Sequence, residues 1–330
     1  MKNLANQRVL VTGGAGFIGS ALIWELNRRG CEQIVVTDFL GETEKWRNLA
    51  PLRFADYLEA DDLLPRLNAN ILGKFDVVLH LGACSATTER DATYLIRNNF
   101  EYTKDLAAWA LANRARFVYA SSAATYGDGC SGMSDLDPDI EKFMPLNMYG
   151  YSKHLFDLYA KRHGFLNQIV GLKYFNVFGP NENHKGDMRS LVNKACAQVL
   201  QTSKIQLFKS YRPDYRDGEQ KRDFLYVKDA VKMTLHLATN SAANGLFNVG
   251  CGEAHTWIEL ATAVFNALER KPNIEFIEMP DVLRGKYQYF TQADITKIRS
   301  TGYKEGFIPL SDSVADYVKN YLVPDKKLGE

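Results

Sequence analysis

Cysteine is scarce and its spacing carries no pattern: five in 330 residues (Cys31, Cys84, Cys130, Cys196 and Cys251), an odd number without a Cys-x-x-Cys pair. That excludes a disulfide framework and a structural zinc site, and the chain reads as reduced and cytoplasmic. An excess of one charge is also missing. Forty Lys plus Arg stand against 39 Asp plus Glu, a net charge of +1, so there is no basic field to attract a phosphate backbone and no nucleic acid partner is expected. No apolar run approaches the ~18–20 residues that span a bilayer. The first strand-like run, Arg8–Thr12, begins too early to leave room for a signal peptide. The sequence therefore predicts a soluble, unexported protein with no membrane partner. The six histidines show no His-Glu-x-x-His or other ligand spacing, so no metal is expected. No repeat occurs at a period of about 20–50 residues.

What is present is an ordinary globular balance, 46% hydrophobic and 24% charged. At roughly 150 residues per domain the length suggests one large or two interlocked domains. Short β-branched runs alternate with helical patterns: Arg8–Thr12 then Phe17–Arg29; Gln33–Thr37; Asp76–Leu81 then Asp91–Asn113; Arg116–Ala120 then Tyr151–Arg162; Gln168–Tyr174. This alternation predicts an α/β protein with a doubly wound parallel sheet and helices on both faces. Strands of such a sheet are buried on both sides and read as unbroken apolar runs, as Asp76-Val77-Val78-Leu79-His80-Leu81 does. His80 in that run is expected to be a hydrogen-bonded core residue. After Tyr174 the pattern loosens into a strand-helix unit (Asp223–Asn240), a Gly-flanked strand (Leu246–Val249) and mixed short elements. The turn-rich stretch Ser210–Lys221 reads as a surface loop. These later strands are expected to complete the first sheet, interleaved with a smaller second domain. Functional residues should lie just beyond the carboxyl ends of the strands.

Val9-Leu10-Val11-Thr12 runs into Gly13-Gly14-Ala15-Gly16-Phe17-Ile18-Gly19, where a helix opens. Glycines at 13, 16 and 19 suit a tight turn, backbone approach to a pyrophosphate and close helix-strand packing, with the anion at the helix N-terminus. The strand-loop-helix context points to dinucleotide binding of the Rossmann type. Asp38 ends the second strand, 19 residues beyond Gly19, where a carboxylate can accept bonds from a ribose diol and favour NAD. Lys45 either neutralises a 2′-phosphate, favouring NADP, or is a solvated charge. Asp56, placed after the third strand, either approaches the adenine or caps the helical region Asp61–Leu67.

Tyr149 and Lys153, four apart in Tyr-Gly-Tyr-Ser-Lys, fall on one helix face. A neighbouring ammonium favours the phenolate of a tyrosine whose free pKa of ~10 makes it a poor base at neutral pH. The pair follows Tyr119–Gly127, a strand ending in hydroxyls, where a serine can bond the same reacting oxygen.

GGAGFIGS, YASSAATYG, YGYSK, RDFLYVKD and FNVGCG together resemble the extended short-chain dehydrogenase/reductase superfamily of nucleotide-sugar epimerases and dehydratases. Within it, HLGACSATTERD (80–91), YFNVFGPNENHKGDM (174–188) and GKYQYFTQAD (285–294) are similar to the ADP-heptose 6-epimerase family, over about residues 7–320. The resemblance implies an isomerase acting on an ADP-sugar with one tightly bound NADP per subunit (NAD the alternative), assembled as a homo-oligomer. It implies a dinucleotide-binding Rossmann domain of residues 1–174 plus about 223–252 and 288–310, and a substrate domain of about 175–222, 253–287 and 311–330. Ser122, Tyr149 and Lys153 match the superfamily triad, and Lys185 the family's second proton-transfer group. Two acid/base groups on opposite sides of a carbinol are what inversion by hydride removal and return requires. The matching cofactor positions are Gly13, Gly16, Phe17, Ile18, Gly19, Asp38, Phe39, Lys45, Leu81, Gly82, Ala83, Cys84, Ser85, Asn98, Lys153, Val177 and Lys185. The substrate positions are Ser122, Asn176, Asp187, Lys194, Phe208, Arg222 and Tyr287. By residue type alone, Asn176 equally suits a turn, Arg222 equally suits an ion pair, and Phe208 and Tyr287 equally suit packing. Cys84 reads as a small residue near the cofactor, since no partner base accompanies it.

The chain departs from the pattern at Leu81, where the family commonly has Glu, and at Ala60, where it can have Lys near the adenosine; both weaken the case for NADP. Asp187 and Lys194 replace smaller polar or His residues, and Phe208-Lys209-Ser210-Tyr211 also differs. These changes bear on which nucleotide-sugar is taken. Ser122-Ala123-Ala124-Thr125 carries no carboxylate to protonate a leaving hydroxyl, which argues against a dehydratase. A net reductase stays open, and retention of the Tyr-Lys pair argues against a silent dinucleotide-binding regulator.

Overall fold

The computed structural model describes residues 4–285 and 287–330. Its strands are β1 (Val9–Thr12), β2 (Ile34–Asp38), β3 (Asp56–Glu59), β4 (Val77–His80), β5 (Arg116–Ser122), β6 (Val170–Tyr174), β7 (Asn176–Phe178), β8 (Ile205–Phe208), β9 (Lys221–Tyr226), β10 (Gly245–Val249), β11 (Ala254–Thr256) and β12 (Ile274–Ile277). The helices are α1 (Phe17–Arg28), α2 (Ala60–Asn68), α3 (Ala92–Leu95), α4 (Tyr102–Ala112), α5 (Met148–Arg162), α6 (Leu191–Thr202), α7 (Val227–Thr239), α8 (Trp257–Ala267), α9 (Asp281–Arg284), α10 (Thr296–Ser300) and α11 (Leu310–Tyr317).

Seven strands form one sheet in the order β10-β6-β5-β4-β1-β2-β3, every neighbouring pair parallel. This is the doubly wound sheet that the alternating runs predict. β1, β4 and β6 are buried along their whole length, and successive side chains serve opposite faces, as the period of two requires. Val9 and Val11 pack in the layer holding Leu22 and Leu26 of α1 and Leu235 of α7. Leu10 packs with Leu63 of α2, Leu106 of α4 and Phe156 of α5 on the other side. The winding reverses between β1 and β4, which places a switch point at their carboxyl ends.

Three expectations change. β9 lies outside the main sheet: it pairs with β7 in parallel and with β11 antiparallel. The physical reason is that β6 is flanked on one side by β5 and on the other by β10, so neither edge of it is free. The chain leaves the sheet at Phe175, and β7, starting one residue later, becomes the edge on which β9 adds. Second, Asp56 opens β3 opposite Val35, at the end of the strand remote from the carboxyl edge. Its Oδ1 accepts the Tyr57 N–H at 2.9 Å, so it neither approaches an adenine site nor caps α2, whose N-cap residue is Glu59. Third, the single helix expected over Asp91–Asn113 is interrupted by a π-helical stretch, Ile96–Glu101, between α3 and α4.

Candidate active site

A cleft of about 1590 Å³ runs along the carboxyl edge of the main sheet and continues past β8 to the start of α8. An ordinary small-molecule pocket is ~300–1,000 Å³, so this one has room for two ligands of nucleotide size. The glycine loop forms one wall. Gly13 has φ of +67°, and a methyl group on it would sit 2.7 Å from the Gly82 nitrogen; its own N–H donates to the Thr37 carbonyl at 2.7 Å. A methyl group on Gly19 would lie 2.1 Å from the Gly13 carbonyl oxygen. No other residue fits either position, so the N-terminus of α1 faces the cleft as bare backbone, which suits the pyrophosphate of a dinucleotide.

Asp38, at the end of β2, accepts the Ala15 N–H on Oδ2 at 3.0 Å and the Phe39 N–H on Oδ1 at 2.7 Å. Lys45 is no solvated charge. Its ammonium lies 2.8 Å from Asp38 Oδ1 with both side chains largely buried. Carboxylate and ammonium therefore meet on the cleft wall beside the glycine loop.

The loop after β4 is held by a directed chain of hydrogen bonds. Gly82 N–H donates to Thr12 Oγ1 at 3.0 Å, and Thr12 Oγ1 lies 2.6 Å from His80 Nδ1. His80 Nε2 lies 2.8 Å from Thr103 Oγ1, which donates to the Asn99 carbonyl at 2.7 Å. Since Thr103 spends its hydrogen on Asn99, His80 must donate through Nε2 and accept through Nδ1. It is a neutral core imidazole, with its pKa pushed down to about 3 by burial and by the Lys153 charge. Asn99 lies in the π-helical stretch and is fully buried. Its Oδ1 accepts Cys84 N–H at 2.8 Å, and its Nδ2 donates to the Cys84 carbonyl at 3.0 Å and to Ser152 Oγ at 2.9 Å. Leu81, Gly82, Ala83, Cys84 and Ser85 thus reach the cleft on a fixed backbone. Sequence reasoning chose the neighbouring Asn98, which lines the cleft, and missed Asn99. The pair Asn98-Asn99 carries no linear signal of which one turns inward.

Ser122 ends β5, where its hydroxyl accepts the Ala124 N–H at 3.1 Å. Asn147 caps α5 by accepting the Gly150 N–H at 2.8 Å, which places Tyr149 in the first turn and Lys153 one turn later. Lys153 is 5% exposed and donates to the Ala120 carbonyl at 2.9 Å. Burial pulls its pKa down to about 8, against the opposing charge of Asp157. Burial pushes the Tyr149 phenol above its ordinary value, and a hydrogen bond with Ser122 works in the opposite direction. Lys185 comes from a separate element, the 3-10 turn Asn183–Met188. Its ammonium stands 5.3 Å over the Phe17 ring; burial lowers its pKa and the Glu182 charge raises it. Ser122, Tyr149, Lys153 and Lys185 line one cleft, together with Ile18, Phe39, Asn176 and Val177.

On the far side, Phe208 at the end of β8, Lys194 on α6 and Tyr287 line the same cleft. Asp187 does not. It is exposed, and its carbonyl accepts from Lys194 Nζ at 3.2 Å. Arg222 does not either: its guanidinium lies 5.0 Å from the Tyr287 ring and 5.7 Å from the Trp257 ring and donates to the Lys221 and Gln288 carbonyls. As placed, it supports two cleft aromatics from behind. Trp257, at the start of α8, and His184 and Arg97 are further lining residues that the sequence did not single out. Burial, with Lys45 and Lys185 adding to it, takes the His184 pKa down to about 4.

A parallel sheet with a glycine loop at its switch point, and with a Ser-Tyr-Lys set at the neighbouring strand end, defines a nicotinamide-dinucleotide enzyme of the short-chain dehydrogenase type. The chain belongs to the NAD dependent epimerase/dehydratase family, which it matches over residues 9–250. It is 54% identical over 314 residues to the ADP-L-glycero-D-manno-heptose-6-epimerase of Nitratidesulfovibrio vulgaris, covering 95% of this chain and 97% of that one. Among solved structures, the enzyme of the same name from Helicobacter pylori superposes with a TM-score of 0.81 at 28% identity, over 97% of both chains. The UDP-glucuronic acid 4-epimerase of Bacillus cereus, solved with UDP-glucuronic acid and NAD, superposes at 0.77 with 25% identity, over 94% of this chain and 99% of that one.

Proposed function

We propose that this protein interconverts the D-glycero and L-glycero forms of ADP-glycero-manno-heptose by inverting carbon 6″. The meeting in one cleft of Ser122, Tyr149 and Lys153 with a second partly buried ammonium, Lys185, from another element carries this reading. The near full-length identity to a heptose epimerase supports the choice of sugar. When bound, the dinucleotide supplies hydride acceptance and return at carbon 6″, so there is no net redox change and it stays in place. Gly13, Gly16 and Gly19 with Asp38, Phe39 and Lys45 would hold its adenosine half, and residues 81–85, Asn98, Lys153 and Val177 the nicotinamide half. The chain's own work is proton transfer: one of Tyr149 and Lys185 removes the proton of the 6″ hydroxyl as the ketone forms. The other supplies a proton to the 6″ oxygen once the sugar has turned its second face. Ser122 orients that oxygen, while Phe208, Tyr287, Asn176 and Lys194 hold the ADP-sugar, with Arg222 acting from behind the wall and Asp187 holding Lys194 through its carbonyl.

NADP is the proposed dinucleotide. Lys45 cancels the charge of Asp38 and offers an ammonium to a 2′-phosphate, which outweighs the absence of a lysine at Ala60. Among the described residues no helix is long and apolar enough to cross a membrane; with the unpaired cysteines and the nucleotide-sugar substrate, a cytoplasmic homo-oligomer is the proposed working form. The test is to incubate the purified protein with ADP-D-glycero-D-manno-heptose, adding no cofactor, and follow the carbon 6″ configuration by proton NMR. Equilibration with the L-glycero epimer is expected. An unchanged sugar after NADP+ and NAD+ have been supplied would sink the heptose assignment and turn attention to Asp187, Lys194 and Lys209.

A further inference from the structure

Glu182 lies two residues before the HKG segment and is fully buried. Its Oε2 accepts the Ser190 N–H at 2.6 Å, and its Oε1 accepts from Ser190 Oγ at 2.5 Å and from the Tyr317 hydroxyl at 3.1 Å. The directions of these bonds can be worked out. Ser190 Oγ is already the acceptor for Asn193 N–H as the cap of α6, and the Tyr317 oxygen accepts from Asn193 Nδ2 at 2.9 Å. Both hydroxyl hydrogens are therefore free to point at Glu182. With the hydrogens so placed, three donors face the carboxyl; burial raises its pKa, while these bonds and the Lys185 charge favour the ionised form.

A fixed negative charge thus sits beneath the turn that presents Lys185, whose N–H donates to the Glu182 carbonyl at 3.0 Å. Resting on the reading of Lys185 as a proton-transfer group, we propose that Glu182 is its positioning residue: a buried, ionised carboxylate that anchors the turn and sets the proton affinity of the Lys185 ammonium. The other charged and titratable groups around this turn have partners of their own. Lys45 and Asp38 pair with each other. Arg189 donates to the Gly186 carbonyl and to Asn193 Oδ1, Asp187 is exposed, and His184 and the Tyr317 phenol are held neutral by burial. Glu182 is the group whose charge raises the Lys185 pKa against its burial.

Removing that charge should make Lys185 easier to deprotonate. The readout is the pH midpoint of Lys185 acetylation by trace acetic anhydride, quantified by peptide mass spectrometry on the cofactor-retaining enzyme. The Glu182→Gln variant, or Glu182→Met should the former not fold, is expected to lower the midpoint by about one pH unit, the low end of the shift an opposite charge produces. The limb of the turnover profile set by Lys185 should move with it, and Glu182→Asp should restore both. An unmoved midpoint in a folded neutral variant overturns the proposal. Full turnover in Lys185→Met would instead overturn the proton-transfer reading, and the labelling would still report on Glu182.

Discussion

Burial sets the chemistry of Tyr149 and Lys153 in opposite senses, since removing solvent disfavours the phenolate of one and the ammonium of the other. With the Lys153 pKa at about 8, the ammonium still predominates at neutral pH; at Tyr149 burial prevails and keeps the phenol pKa above its ordinary value, with the Ser122 hydrogen bond working against it. Tyr149→Phe removes the hydroxyl and leaves the ring. Turnover is expected to fall ~10²–10⁴-fold, the range for a lost acid/base group, with retained dinucleotide absorbance unchanged; undiminished turnover would take Tyr149 out of the mechanism. At the other end of the cofactor wall the deciding contact is Asp38 with Lys45. Without Lys45 the carboxylate would repel a 2′-phosphate but could still accept from a ribose diol. Lys45→Ala should therefore shift the ratio of NADP+ to NAD+ affinity at least ~10-fold towards NAD+, about 1.4 kcal/mol, as read by calorimetric titration of the stripped protein.

His80 bonds across the ends of β1 and β4 to Thr12 and, on the other side, to Thr103 of α4, so its protonation state is a property of the elements it joins. Its folded pKa of about 3 lies below the ~6.5 of an unfolded chain. Between those values the unfolded state binds the proton and the folded state does not, so its contribution is complete above pH 6.5 and is lost as pH falls. Relative to His80→Asn, the wild type should lose about 1.4 kcal/mol per pH unit between pH 6.5 and 4.5, measured by urea unfolding at three pH values; parallel curves would remove His80 from the linkage. A second joint lies deeper. Asp157 of α5 accepts from Tyr119, from Ser121 and from the Lys173 ammonium of β6 at 2.9 Å, and this ion pair is 0–1% exposed. Lys173→Met leaves a buried carboxylate without its cation and should cost about 3–5 kcal/mol, whereas the double change Asp157→Leu with Lys173→Met should cost less, as denaturant unfolding of the three proteins can decide. The sequence made β1, β4 and β6 legible because strands covered on both faces read as unbroken apolar runs. It could not separate β9 from that sheet, since Phe224-Leu225-Tyr226 reads the same in either sheet. Nor could it mark Asp157, Lys173 or Glu182 as buried charges. Their burial depends on partners 16, 36 or 135 residues away, not on local pattern.

At the scale of the whole molecule, the residues of the site were largely readable as a set because glycine loop, strand-end hydroxyl and Tyr-x-x-x-Lys keep fixed offsets along the chain. The wiring that brings Lys185 to them was not readable. It runs through two asparagines. Asn48 Nδ2 donates to the Ala15 carbonyl at 2.9 Å in the glycine loop and to the Asn181 carbonyl at 3.1 Å. Asn181 Nδ2 donates to Ser20 Oγ of α1 at 3.0 Å, while its Oδ1 accepts the Leu328 N–H at 3.0 Å. The dinucleotide wall and the turn bearing Lys185 are therefore one hydrogen-bonded body, and a ligand that orders the first should also stabilise the second. A ligand bound only by the folded state contributes RT ln(1 + [L]/Kd), about 4 kcal/mol at 1,000 times Kd. On the proposed reading, stripping a bound dinucleotide is expected to lower Tm by several degrees, and saturating NADP+ to restore it. Asn181 has φ of +77°, so Asn181→Gly keeps the backbone conformation while removing the side-chain bonds to Ser20 and Leu328. In that variant the NADP+-dependent rise in Tm should shrink, because α1, which opens at the glycine loop, has lost its side-chain tie to the segment leading into the Lys185 turn. An undiminished rise would mean that α1 and the loop of β1 organise the cofactor wall without help from the turn that carries Lys185.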